Sequence, residues 1–461
     1  MGVLEDLMEG IGGKRIYVEN LGCAKNQVDA EVMVDELVGS GCLSVDNADQ
    51  ADVILVNTCG FIESAREESV NTFFALREQY PQAKIIMTGC LSQRYGKELE
   101  KELVEADGIF GNRDLRHITG LVRRILAGER VVDLPAYPLI TEESDRRGKL
   151  FNFPGSAYLK ISEGCNHRCR YCAIPLIRGS LRSRPFDAII GEAERLVGSG
   201  IREINLIAQD LAAYGTDGEQ KRSQFLRLLE ALVAIEGDFR IRMLYIHPDA
   251  FPRELPAFVA ENPKVIPYFD IPFQHAHPDV LRPMGRLGDS RTYLELVESI
   301  RTVLPEATVR STFMIGFTGE TDQTFATLKR FVEEARLDWV GSFVYSREEG
   351  TPAYRDRTAT EHKAMGKRAA RWQKELETIQ QKLTMDRLQR FVGTEQDVLI
   401  EELVEGEDLA IGRTAHQAPE VDGLTVVMGR NLVPGTMVRC GISRVNGIDL
   451  EAIPLSGGVS R

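Results

Sequence analysis

The sequence predicts an α/β protein in three parts: an N-terminal doubly wound parallel sheet, a central partial (βα)6 barrel and a small C-terminal antiparallel β-barrel. Short β-rich runs alternate with amphipathic stretches of helical period through the first two parts, the signature of parallel sheets covered by helices. From residue 391 that rhythm gives way to short strand-like runs punctuated by glycine. A chain of 461 residues also exceeds one ordinary core.

In the first segment, strands are expected at residues 15–19, 52–57, 84–88 and 107–110, with helices at 29–38 and 61–77. Cys23, Cys59 and Cys90 each follow one of the first three strands, just before a helix. The carboxyl-end loops of an open parallel sheet share one rim, where such folds bind ligands, so cysteines far apart in sequence can meet there. A lone cysteine after a strand is more often a small packing residue. Three in the same topological position point instead to a shared cluster. This domain is expected to span residues 1–134, with a Pro- and charge-rich linker at 135–154.

The middle segment, 155–360, repeats the strand-then-helix unit six times. Its strands are expected at 158–162, 203–208, 240–245, 266–271, 308–315 and 338–344, with helices at 186–197, 224–235, 291–303 and 321–334 among them. Active-site residues of such barrels lie on loops at the strand carboxyl ends. A helical connector at 361–390 carries eight Lys or Arg against four Asp or Glu and reads as a solvated helix. The terminal barrel, 391–461, has strand-like runs at 396–403, 424–428 and 437–445.

Composition narrows the function. No stretch approaches eighteen uninterrupted apolar residues, and the opening Met1-Gly-Val-Leu-Glu-Asp6 lacks the basic region and long apolar core of a secretory signal, so no membrane role and a cytoplasmic address are expected. Eight cysteines in such a chain should be thiols or metal ligands rather than a disulfide framework. Cys42 and Cys440 lack the strand-end context and read as packing residues. A formal charge of −13 works against direct nucleic-acid binding and favours a basic protein partner.

The strongest chemical signal is Cys165-Asn-His-Arg-Cys169-Arg-Tyr-Cys172, three thiols within eight residues after the first barrel strand. Three cysteines can hold three irons of a 4Fe-4S cluster and leave the fourth open to the amino and carboxylate groups of S-adenosylmethionine. An electron delivered to the sulfonium then releases a 5′-deoxyadenosyl radical. The plain alternatives are a zinc knuckle completed by His167, or three unrelated thiols; zinc normally wants four closed ligands, and His167 sits awkwardly inside the loop.

That motif, continued by Ala-Ile-Pro-Leu-Ile-Arg178-Gly-Ser-Leu-Arg-Ser183-Arg184-Pro185, resembles the signature of the radical S-adenosylmethionine methylthiotransferases. Leu21-Gly-Cys23-Ala-Lys25-Asn26-Gln-Val-Asp29-Ala-Glu31 is similar to the opening motif of the branch that modifies ribosomal protein S twelve. The tRNA-modifying branch typically has Gly-Cys-Gln-Met-Asn there. Asn57-Thr-Cys59-Gly-Phe-Ile and Thr88-Gly-Cys90-Leu extend the resemblance, which spans nearly the whole chain. It implies an auxiliary 4Fe-4S cluster on Cys23, Cys59 and Cys90, a radical cluster on Cys165, Cys169 and Cys172, and a TRAM domain as the terminal barrel, with Gly412-Arg-Thr and Pro419-Glu-Val-Asp-Gly423 matching. Ala24, Gln27, Ala30 and Thr318 depart from the usual Pro, Leu, Ser and Pro; none removes a metal ligand.

Gln209 and Asp210 follow the second barrel strand, Gln274 and His275 the fourth, and Arg310 lies on the fifth, positions from which side chains can line a barrel mouth. The opposing reading makes Arg310 an interior ion-pair partner and Gln274 a satisfied buried amide. By resemblance, the loop with Gly316, Gly319 and Glu320 shapes the S-adenosylmethionine pocket.

The implied reaction replaces a C–H bond by C–S–CH3, with one S-adenosylmethionine as methyl donor and a second as radical source. The implied target is the β-carbon of an aspartate in ribosomal protein S twelve, on the free protein or the small ribosomal subunit, and a one-electron donor such as a flavodoxin is expected. The N-terminal and TRAM domains are expected to cover the barrel mouth and exclude water. Residues 391–461 hold five Lys or Arg against eleven Asp or Glu, which suits a basic protein better than RNA. The rival readings are a tRNA adenosine methylthiotransferase and a non-enzymatic iron-sulfur carrier or ribosome-binding protein.

Overall fold

The computed structural model describes residues 10–137 and 147–459, with side chains through Leu455. The opening Met1-to-Asp6 stretch and residues 138–146 of the expected linker lie outside the described residues. The chain forms two compact units: Met1–Phe151 with Ser162–His167 and Cys172–Ile189, and Asn152–Ile161 with Arg168–Tyr171 and Ile190–Arg461.

The first unit is built on β1 (Arg15–Asn20), β2 (Leu43–Ser44), β3 (Val53–Thr58), β4 (Lys84–Thr88), β5 (Gly108–Phe110) and β6 (Val131–Asp133). These pair in the order β2-β1-β3-β4-β5-β6, all parallel. β3 is buried along its whole length because helices cover both faces, which is why it reads as an apolar run without alternation. Val53 and Leu55 pack with Ala30, Met33 and Leu37 of helix Ala24–Gly39. Ile54 and Val56 point the other way, onto Phe73 and Leu76 of helix Glu63–Gln79. The expected double winding is therefore present, but the sheet has two further strands. β2 and β6 are two and three residues long, too short to carry a period of their own.

The second unit opens with β7 (Ser156–Lys160); the chain then contributes a short antiparallel ladder to the first unit, β8 (Ser162–Glu163) with β9 (Arg182–Ser183). β10 (Glu203–Ile207), β11 (Arg240–Met243), β12 (Val265–Asp270), β13 (Thr308–Ile315) and β14 (Trp339–Val344) complete a six-stranded parallel sheet in the order β7-β10-β11-β12-β13-β14. The connector is a 30-residue helix, Ala359–Leu388, started by a capping box between Thr358 and Glu361. Its Trp372 stacks on Phe325 with ring centroids 4.9 Å apart.

The terminal barrel comprises β15 (Glu395–Leu403), β16 (Leu409–Arg413), β17 (Thr425–Met428), β18 (Met437–Asn446) and β19 (Asp449–Val459), closed in the order β15-β16-β17-β19-β18. The expected antiparallel pattern is broken once, where β17 pairs with β19 in parallel.

The segment between β16 and β17 corrects a second expectation. Arg413 Nη1 lies 2.7 Å from Glu203, the first residue of β10, and its Nε lies 2.7 Å from Glu401. Arg240 and Arg242 on β11 reach the same Glu203 carboxylate at 2.8 and 3.1 Å. Asp422 accepts from Tyr268 Oη at 2.5 Å and sits 3.4 Å from Arg310 Nε. The Trp339 indole N–H donates to the His416 carbonyl at 2.8 Å. Glu203, Arg240 and Trp339 open their strands, so these contacts among the described residues seat the terminal barrel at the amino ends of the sheet rather than at the mouth expected for it.

Glu203 is fully buried, and three guanidinium groups hold its carboxyl well below the usual range against the opposing cost of burial. Glu203→Gln leaves those charges uncompensated and is expected to destabilise the protein by about 3–5 kcal/mol in denaturant unfolding. Burial pushes the Asp422 carboxyl from 3.8 up to about 6, against Arg310, Tyr268 and the Ala418 N–H. A folded-state pKa above the unfolded one contributes stability that is full below about 3.8 and lost as pH rises through about 6. Between pH 5 and 7 the Asp422→Asn variant is therefore expected to lose less unfolding free energy than the native protein.

Candidate active site

Cys23 follows β1 and Cys59 follows β3, flanking the point where strand order reverses, and Cys90 follows β4. Interlocked loops hold these strand ends together. Asn57 Nδ2 donates to Asn20 Oδ1 at 2.8 Å and to the Asn26 carbonyl at 2.7 Å, and Asn26 Nδ2 donates to the Thr58 carbonyl at 2.8 Å. Thr58 Oγ1 donates to the Thr88 carbonyl at 2.5 Å. Gly89 has φ of +91°, and a Cβ there would lie 2.6 Å from Asn57 Oδ1 and 2.7 Å from the Thr58 carbonyl. Only glycine lets the β4 loop approach so closely.

The three thiols sense one another: Cys23 and Cys59 charges both act on Cys90, and Cys23 acts on Cys59. Burial pushes the Cys90 thiol up to about 12 and also raises Cys59. Cys23 has accessible surface, yet enough protein surrounds it for desolvation to oppose ionisation. Lys25, Arg178 and the backbone N–H groups of Asn26 and Lys25, at the start of helix Ala24–Gly39, outweigh that cost and lower its pKa. Cys42 and Cys440 lie in packed interior, where burial raises each to about 11.

The second cysteine motif follows β8. The Cys165 N–H donates to the Gly179 carbonyl at 3.2 Å, and Asn166 Oδ1 accepts from the Leu181 N–H at 3.1 Å, so the β8–β9 ladder closes the loop. Just after Cys172, Ala173 and Ile177 pack against Cys90 and Phe61. The first unit thus packs the segment just after Cys172 against Cys90. Cys169 falls in the second unit, where the Arg170 N–H donates to the Met284 carbonyl at 2.9 Å and Arg286 donates to the Pro272 carbonyl at 2.5 Å. Burial opposes the Arg286 charge, but Tyr171 and Cys169 more than offset it. Arg286 carries no motif signal, because Arg282-Pro-Met-Gly-Arg286 reads as an ordinary helix end.

At the carboxyl ends of the second sheet, Gln209 and Asp210 follow β10; the Asp210 carboxylate accepts from the Ala212 and His247 N–H groups at 3.1 and 3.0 Å. Gln274 follows β12 at φ +67°, and its buried Oε1 has no hydrogen-bond partner among the described residues. Glu320 accepts from the Gly316 N–H at 2.5 Å and meets His275 Nε2 at 3.2 Å, bracing the loop after β13. Arg357 donates to the carbonyls of Gly316 and Phe317 at 2.6 and 2.7 Å. A Cβ at Gly319 would find only the Asp279 carbonyl, 4.0 Å away, among the described atoms. Tyr345 Oη, buried just beyond β14, also lacks a partner among the described residues. Arg310 is engaged with Asp270, the last residue of β12, at 3.0 Å, with Thr312 Oγ1 at 3.1 Å and with Asp422 at 3.4 Å.

Among the described residues, no three His, Cys, Asp or Glu side chains converge on one point as a single metal ion requires. A cubane takes each cysteine on a different iron, so its ligands stand apart. Two all-thiol sets fit such clusters, and the orphaned Gln274 oxygen beside an open glycine loop fits a polar ligand at the mouth.

A parallel six-stranded sheet with a Cys-x3-Cys-x2-Cys loop after its first strand defines a radical S-adenosylmethionine enzyme. The sequence profile of the radical SAM superfamily matches residues 159–332, that of the uncharacterized protein family UPF0004 residues 15–111, and that of the TRAM domain residues 392–454. The "Ribosomal protein uS12 methylthiotransferase RimO" of Treponema denticola is 40% identical over 94% of this chain and 99% of its own length. The protein of the same name from Moorella thermoacetica is 41% identical, covering 94% and 98%. The chain belongs to this RimO family of radical SAM methylthiotransferases. Among solved structures, the radical S-adenosylmethionine methyltransferase TsrM from Kitasatospora setae matches with a TM-score of 0.51 at 15% identity, covering 74% of this chain and 77% of that one. At that identity the likeness concerns the fold alone. Membership in the radical SAM superfamily implies S-adenosylmethionine and one 4Fe-4S cluster.

The interlocked strand ends can be tested at Gly89. Gly89→Ala is expected to cost more than about 1 kcal/mol in denaturant unfolding and to reduce the iron retained after anaerobic reconstitution.

Proposed function

We propose that this enzyme adds a methylthio group to the β-carbon of an aspartate in ribosomal protein uS12, giving 3-methylthioaspartate, with a 4Fe-4S cluster on Cys165, Cys169 and Cys172 and a second on Cys23, Cys59 and Cys90. The observation that carries the two-cluster reading is the packing of Ala173 and Ile177 against Cys90, which sets one cysteine motif beside the other. When bound, the first cluster supplies the electron that cleaves S-adenosylmethionine, and the second supplies an iron from which sulfur is delivered.

The chain's own residues supply position. The Cys165–Gly179 hydrogen bond and the β8–β9 ladder fix the radical loop, while the Met284 carbonyl holds the Arg170 N–H in its middle. Gln209, Asp210, Gln274, Gly316, Gly319 and Glu320 are assigned to the S-adenosylmethionine pocket; Glu320 acts by bracing its loop rather than by direct contact. Arg310 is assigned to an interior ion-pair network rather than to the pocket, because two carboxylates engage it. Holding the substrate carbon near the adenosyl carbon is a positioning task.

The substrate reading draws on the relatives' names, on the Cys23-Ala-Lys25-Asn26 motif and on the acidic terminal barrel, which suits a basic ribosomal protein, free or in the small subunit. Division at residues 134, 154, 360 and 390 remains the proposed domain scheme, with cytoplasmic activity and a flavodoxin-type donor. No described helix is long and apolar enough to cross a membrane.

Incubation of the anaerobically reconstituted, reduced enzyme with uS12 or with tRNA, followed by mass measurement, tests the substrate; a methylthio gain on tRNA alone would overturn the reading. Cys165→Ala is expected to abolish 5′-deoxyadenosine formation. Cys59→Ala is expected to retain it while losing methylthio product, and product from either variant would contradict the ligand assignment.

A further inference from the structure

We propose that Arg178 is a positioning residue that sets the reduction potential of the cluster on Cys23, Cys59 and Cys90 by donating a charged N–H to the Cys90 sulfur. The inference rests on the ligand assignment above and deepens it.

Arg178 is 2% exposed, and its partners all lie in the first unit. Nη1 donates to Glu163 Oε1 at 2.9 Å. Nη2, with two N–H bonds, lies 2.6 Å from Asn26 Oδ1, 2.9 Å from Asp29 Oδ2 and 3.4 Å from Cys90 Sγ, so the sulfur shares a bifurcated N–H. Two carboxylates already neutralise the guanidinium, so a purely structural ion pair has no need of the sulfur. As a thiol, Cys90 donates to Asn26 Oδ1 at 3.1 Å. Ligation to iron removes that proton and leaves the sulfur purely an acceptor, facing Arg178 and Asn112 Nδ2, each at 3.4 Å.

A hydrogen bond to a ligating thiolate withdraws electron density from the cluster and favours its reduced, more negative state, and a charged donor does so more strongly. Arg178 therefore raises the potential. The same residue reaches the other cysteine motif: Glu163 lies two residues before Cys165, and the Gly179 carbonyl next to Arg178 accepts the Cys165 N–H. One short segment thus holds the backbone of one motif and tunes a sulfur of the other.

The test uses full-length protein carrying Cys165→Ala, Cys169→Ala and Cys172→Ala, reconstituted so that the auxiliary cluster is observed alone, with and without Arg178→Lys. Iron and sulfide analysis first shows whether one cubane loads. Potentiometric titration followed by paramagnetic resonance should place the Arg178→Lys midpoint below that of the parent. Pulsed resonance on parent protein labelled with guanidino-15N arginine should resolve a 15N coupling to the reduced cluster, absent in Arg178→Lys. A loaded cluster without 15N coupling, or with an unshifted midpoint, overturns the proposal and leaves the ligand assignment standing. Failure of the parent to load any cluster overturns both. If Arg178→Lys does not fold, the 15N coupling in the parent decides alone.

Discussion

Burying one guanidinium among two carboxylates, an amide and a thiol organises the first unit. Arg178 carries a charge that cannot stay in the interior unless oxygen atoms surround it, and Asn26, Asp29 and Glu163 do so from two separate stretches of chain. Losing any partner leaves a buried charge exposed to low dielectric, a penalty of several kcal/mol. The chain is therefore committed to one arrangement, and in it the sulfur of Cys90 lies within reach of the same group.

The second unit solves a similar problem at its opposite end. Glu203, Arg240, Arg242 and Arg413 interlock where the strands of the sheet begin, with Asp422, Tyr268 and Arg310 beside them. This network ties the terminal barrel to the amino ends of the strands and leaves the carboxyl ends to the glycine loop, Gln274 and Tyr345. The support and the proposed S-adenosylmethionine pocket thus lie at opposite ends of one sheet.

The candidate site shows how far local pattern extends. Cys23, Cys59 and Cys90 were legible as a set because each ends a strand run, and the carboxyl ends of parallel strands share a rim. The compact motif from Cys165 to Cys172 was legible from spacing alone. The hold of Met284 on that loop was not, because it depends on a helix end reaching a loop more than a hundred residues earlier in the chain. Arg310 looked equally suited to pocket and interior from its strand position, and its two carboxylate partners come from a neighbouring strand and from the terminal barrel.

By itself the sequence determined the alternation of strands and helices and the change from parallel sheets to a terminal barrel, and it singled out six thiols as the proposed ligands, since periodicity and spacing are local properties of the chain. Tertiary structure alone decided that the terminal barrel sits at the amino ends of the sheet, that β17 pairs with β19 in parallel, and that Arg178 faces Cys90. Each of these depends on which buried charge or unpaired edge finds its complement across a long loop, and no local pattern encodes that choice.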